Sequence, residues 1–253
     1  MESFRKLFLF WAVFSISSII QAQSIYWQDS LSEITVYFHI DENEYGEHPH
    51  RTSKAYDVIE LEERYHPAIT SLIKKAYSKY PAKLLKENID KVYVYDQFDE
   101  GKSTMGKYIG RHGFFYAVPF LENGSIDSLD FERLIHHELS HRLHMFNYKP
   151  FDYKSWKNCN ALKYGAIKSY NQDFDEDLHK KGFLYKYAVL NKWEDFASFA
   201  ENIFIYQPEF WDALAKHQLL RKKFDIICSY YEALDSQLNR AYFLNLHGMK
   251  FTE

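Results

Sequence analysis

The sequence predicts an α+β fold, a single domain in which a small mixed sheet and one motif-bearing helix lead into a mostly helical C-terminal half. Three observations predict it. At 253 residues and 46% hydrophobic content the chain can bury one substantial core, without the composition of a disordered or repetitive protein. Segments rich in β-branched and aromatic residues fall in the first half, at 33–40, 91–95 and 114–118. Beyond Lys149 apolar residues recur at helical spacing, with loops around 158–160 and 173–177.

Residues 1–22 carry Arg5 and Lys6, an apolar run over 7–20 and the small Ala22, the pattern of a cleaved signal peptide. The run of about 14 residues is short of the roughly 20 that span a bilayer, so no permanent membrane span is expected after cleavage. The mature domain is then 23–253, exported to the periplasm or the extracellular space. Its first part, about 23–60, reads as an N-terminal extension containing the strand 33–40. Export exposes Cys159 and Cys228 to oxidising conditions, as one disulfide or two buried thiols.

Ile69, Leu72, Ile73 and Ala76 place a helix over 65–80, stopped by Pro81, and 91–95 is the next strand. Residues 101–113 read as a loop bearing Gly106 and Gly110. The strand 114–118 follows and is closed by Pro119; it could pair with an extended substrate or lie inside the sheet. After an Asn123-Gly124 turn, Asp127 or Ser128 caps a helix over 129–146, with Asp130 and Glu132 complementing its dipole. Ile135, Leu139, Leu143 and Phe146 are its expected core stripe. Trp193, Phe196, Ala197, Ala200 and Phe204 mark a helix over 193–206 ended by Pro208, and a long helical region over 219–246 closes the domain.

The formal net charge is −4, with acids and bases mixed along the chain. That leaves no cationic field to gather nucleic acid or anionic lipid. The chemistry is concentrated in His137-Glu138-Leu139-Ser140-His141. On a helix, positions i and i+4 share a face, so His137 and His141 can both turn a ring nitrogen to a single Zn²⁺. Glu138, rotated about 100° away, reaches a water beside the metal rather than the metal itself, as a general base. The expected reaction is hydrolysis of peptide or protein substrates through a zinc-activated water.

Catalytic zinc takes a third protein ligand. The metzincin spacing would need a glycine and then a histidine shortly past His141, where this chain has His144 and Asn147. His144 reads as a supporting or surface side chain, because three ligands on consecutive turns of one straight helix diverge. Glu194, on the later amphipathic helix, is the expected third ligand; Glu201 and then Asp195 are the reserves. Tyr187 could donate to a developing oxyanion or simply pack.

Tyr187-Ala188, Asn191 and Glu194-Asp195-Phe196-Ala197, following the His-Glu-x-x-His helix, resemble the anthrax-lethal-factor-like zinc metallopeptidases of the gluzincin group. A looser likeness extends over 65–201. The resemblance implies a zincin-like fold, one zinc ion on His137, His141 and Glu194, Glu138 as catalytic acid and base, and Tyr187 as the oxyanion tyrosine. One departure stands out. Ser198 lies where the family often has an acid supporting a zinc-bound histidine, which implies weaker support for that ligand. A different class of reading is a catalytically weak or inactive zincin-fold protein that binds peptide or metal outside the cytoplasm.

Overall fold

The computed structural model describes residues 25–28, 34–38, 57–99, 106–109 and 113–249, so the expected signal peptide lies outside the described residues. The strands are β1 (Ile25–Gln28), β2 (Thr35–Tyr37), β3 (Asp57–Glu60), β4 (Lys91–Asp99), β5 (Gly106–Ile109) and β6 (Gly113–Ala117). They form one mixed sheet in the order β1-β2-β4-β6-β5. Strands β2, β4 and β6 are parallel, while β1 and β5 run antiparallel to their neighbours. β3 pairs with the far end of β4; because Tyr95 is matched to both Glu60 and Ala117, β3 occupies the side of β4 away from β6.

The sheet alternates as a period-2 pattern requires. Val92, Val94, Phe114 and Tyr116 point into the main core, whereas Tyr93, Tyr95 and Phe115 join Tyr37 in an aromatic cluster of their own. Parallel strands need crossovers; two helices lie on the one from β2 to β4, while β5 lies on the one from β4 to β6. α1 (His66–Tyr77) and α2 (Ala82–Asn88) lie between β3 and β4, and α3 (Ser128–Phe146) follows β6. The remaining helices are α4 (Tyr153–Asn158), α5 (Glu176–His179), α6 (Lys192–Phe204), α7 (Pro208–Lys216), α8 (Gln218–Leu234) and α9 (Arg240–Leu246). The α+β architecture with a mostly helical second half is the one expected from the sequence. No helix of the described residues is long and apolar enough to cross a membrane.

α3 is the central rod, packed against α1, β5 and β6 and against α6. Its cap is Asp127, whose carboxylate accepts the Asp130 N–H at 3.0 Å. Ile135, Leu139 and Leu143 are at most 1% exposed, each worth about 1.5–3 kcal/mol of burial. Phe146 corrects the expected stripe. It is 48% exposed, with the Arg142 guanidinium 3.5 Å from its ring centroid. Glu132 is not a solvated dipole partner either. It is buried and paired with Lys75 at 2.7 Å and Lys79 at 2.6 Å, which ties α3 to the end of α1.

Other boundaries also move. The helix expected over 65–80 stops at Tyr77 and a second one, α2, follows Pro81. Part of the glycine-bearing loop is strand β5. The strand 114–118 is interior, flanked by β4 and β5. The last helical region divides at Asp235, which is extended, and restarts where Asn239 accepts the Tyr242 N–H. Cys159 and Cys228 are both buried and unpaired, so the thiol alternative holds.

Candidate metal centre

α3 presents His137 and His141 one turn apart, with ring planes at 87° and their Nε2 atoms 3.0 Å from each other. α6 brings the carboxylate. Its N-cap, Asn191, accepts the N–H groups of Trp193 and Glu194 at 2.8 and 3.1 Å, which fixes Glu194 in the first turn. Glu194 Oε2 stands 3.2 Å from His137 Nε2 and 3.4 Å from His141 Nε2. Three ligand atoms, each about 2.0–2.1 Å from one tetrahedral zinc, would be separated by about 3.3–3.4 Å. The three donors therefore match the triangular face that such an ion requires, and two imidazoles with a carboxylate suit zinc chemically.

The support for this face comes from Glu201. His137 Nδ1 donates to Glu201 Oε2 at 2.6 Å, which aims Nε2 at His141 and Glu194. The other Glu201 oxygen accepts from the Tyr185 hydroxyl. Glu201 thus belongs behind His137, on the nitrogen opposite the donor face, and is not the reserve ligand that the sequence suggested. The available signal was its spacing of two helical turns from Glu194, which puts both on one face of α6. Ser198 does not provide the support. Its hydroxyl donates at 2.6 Å to the main-chain oxygen of Glu194.

Asp195 is excluded from the centre by its own partners. It is fully buried and accepts from Lys223 Nζ at 2.6 and 2.8 Å, Trp156 Nε1 at 2.8 Å and the Tyr164 hydroxyl at 2.7 Å. His144 is also a core side chain and neither supports the centre nor lies at the surface. It is 4% exposed and boxed by the rings of Phe151, Trp193, Phe196 and Tyr230.

Charge is finely balanced around the donors. Burial would lower His137, but hydrogen bonds to Glu194 and Glu201 raise it to about 10. Burial opposes ionisation of Glu194, yet the two imidazoles hold its carboxyl far below the usual range. Glu138 shifts upward, because desolvation outweighs the opposing charges of His141 and His137. Its side chain lies against β5: a Cβ on Gly106 would stand 2.7 Å from Glu138 Cγ and 2.8 Å from Leu134 Cδ1. Only glycine lets this strand approach α3 so closely.

Tyr187 opens a 3₁₀ turn, Tyr187–Val189, anchored by its N–H to the Asn171 oxygen at 3.0 Å. Its ring stacks on His137 with centroids 5.9 Å apart, and burial with the nearby Glu194 keeps the phenol protonated. A cavity of about 370 Å³ opens here, lined by Gly106, Arg133, His137, Glu138, Tyr170 and Tyr187 among others. Glu138 and the Tyr187 phenol thus line one space beside the donor triangle.

Fold and donor set together have the organisation of a zinc metallopeptidase. Residues 34–234 match the family model described as "Putative zinc-binding metallo-peptidase", and the chain belongs to that family. It is similar in structure to "a putative zinc-binding metallo-peptidase from Bacteroides caccae ATCC 43185", with a TM-score of 0.59 and 12% identity over 85% of each chain. At that identity the likeness concerns the fold. No curated protein matches the chain.

Proposed function

We propose that the protein is an exported zinc-dependent peptidase of the gluzincin type, with His137, His141 and Glu194 holding one ion in this centre. The observation that carries the proposal is the convergence of three donor atoms from α3 and α6 within 3.4 Å of one another, beside a buried glutamate that is not one of them. Bound there, zinc would acidify a water molecule and polarise the carbonyl of the substrate. Glu138 takes the proton of the attacking water and returns it to the departing amine, a role favoured by a carboxyl shifted upward by burial. Tyr187, protonated and facing the same cavity, donates to the oxygen that becomes negative. The peptide lies extended along β5, which ends the sheet and has a free main-chain edge among the described residues. The lethal-factor-like subtype draws its support from Tyr187, Asn191 and Glu194, and export from residues 1–22.

Glu138→Gln tests the reading, with zinc analysis and peptide-library cleavage run in parallel. The variant should retain the zinc content of the wild type and lose cleavage by about 10²–10⁴-fold, the usual contribution of general acid-base catalysis. Undiminished cleavage refutes the role of Glu138. A zinc-loaded wild type that cleaves nothing in the library refutes the enzyme and leaves a binding module.

A further inference from the structure

A second set of metal-ligating side chains lies outside the cavity, where α5 meets the junction of α7 and α8. Glu176 opens α5 and His179 ends it, while His217 is the residue that joins α7 to α8. Glu176 Oε1 stands 3.1 Å from His217 Nε2, and Glu176 Oε2 stands 3.7 Å from His179 Nδ1. One donor atom from each residue falls within 4.8 Å of the other two.

The protonation of His179 is set by its own fold. Nε2 donates to the Leu184 carbonyl at 3.0 Å, which leaves the Nδ1 lone pair directed at the cluster. That Nδ1 atom is buried in a side chain only 6% exposed and has no hydrogen-bond partner; His217 Nε2 is also buried, with the Glu176 carboxylate 3.1 Å away. A buried acceptor left unmet is destabilising. The simplest account of the group is an ion pair between His217 and Glu176. Glu176 is 58% exposed, so water screens such a pair, and it leaves His179 Nδ1 unmet. A cation held by the three residues would give His179 Nδ1 the partner that the ion pair does not.

We propose that Glu176, His179 and His217 form a second metal site, structural in role and suited to Zn²⁺. Two imidazoles and one carboxylate are the borderline donors that zinc favours, whereas calcium and magnesium require oxygen-rich sites. The Leu184 carbonyl that orients His179 is the kind of outer contact that ligating histidines have. The site would clasp the chain between α4 and α6, whose only regular elements are α5 and the Tyr187–Val189 turn, onto the α7–α8 junction. That stretch carries Tyr185 and Tyr187, which touch Glu201 and His137. The proposal does not depend on peptidase activity.

The test is zinc stoichiometry of the full chain, stripped with chelator and titrated at micromolar free zinc against a chromophoric competitor. Wild type should hold two equivalents, His217→Ala and Glu176→Ala one each, and Glu194→Ala should keep the equivalent that those two lose. The zinc-induced rise in melting temperature should also shrink in Glu176→Ala, where an exposed side chain is removed and the fold is kept. A wild type holding one equivalent that His217→Ala retains overturns the second site alone. Two equivalents that survive both substitutions place the second ion elsewhere and overturn it as well.

Discussion

Replacing Glu201 with Gln removes a charge from behind His137 while preserving shape. The bond it weakens is 2.6 Å long between side chains 7% and 2% exposed, so water does little to screen it. Losing such an outer carboxylate typically reduces metal affinity 10–100-fold, equivalent to about 1.4–2.7 kcal/mol. The amide oxygen can still accept from Nδ1, so the ring keeps its orientation and the loss should fall at the lower end. The assay is competition for zinc against a chromophoric chelator at neutral pH, with circular dichroism to verify folding. Ser198→Ala is the control, since its hydroxyl donates to the main chain of Glu194 and does not touch His137, and its affinity should remain within about twofold. Wild-type affinity in Glu201→Gln refutes the reasoning. So does an equal loss in Ser198→Ala.

Three further outcomes follow from the packing. Gly106→Ala should lower kcat about tenfold or more with unchanged zinc content, because the new methyl collides with Glu138 and not with a ligand; an unchanged kcat would show that β5 yields freely. Asp195→Ala leaves Lys223 buried, charged and unpaired, and should cost about 3–5 kcal/mol in urea denaturation, a loss under 1 kcal/mol being incompatible with the buried pair. Acid should weaken the fold before carboxylates protonate. His136 and His144 are held near 4 chiefly by desolvation, below the unfolded value of about 6.5, so between these limits the unfolded chain binds more protons. The stability they contribute is intact above about pH 6.5 and declines toward pH 4, by about 1–3 kcal/mol per histidine. Urea midpoints measured across that interval should fall less steeply in His144→Gln than in wild type; equal slopes would rule out His144 as a source.

Much of this protein is a matter of local order, and local order is legible in a sequence. The spacing of His137 and His141, the Asp127 cap, the stripe of Ile135, Leu139 and Leu143 and the placement of Glu194 in the first turn of a helix all depend on residues within a few positions of each other. The α+β division was legible for the same reason, since periods of 2.0 and 3.6 are properties of neighbouring residues. β5 was not, because a four-residue edge strand bounded by glycine is defined by β6 and by the closeness of α3 to Gly106. Glu201 looked like a spare ligand until the approach of α3 to α6 showed which nitrogen of His137 it meets. Asp195 stood as the second reserve ligand and is a buried counter-charge, since Lys223 reaches it from α8. Sequence alone determined which side chains could perform chemistry. Tertiary structure decided which of them face one another, because contacts between distant segments are chosen by packing and charge pairing and leave no period in the chain.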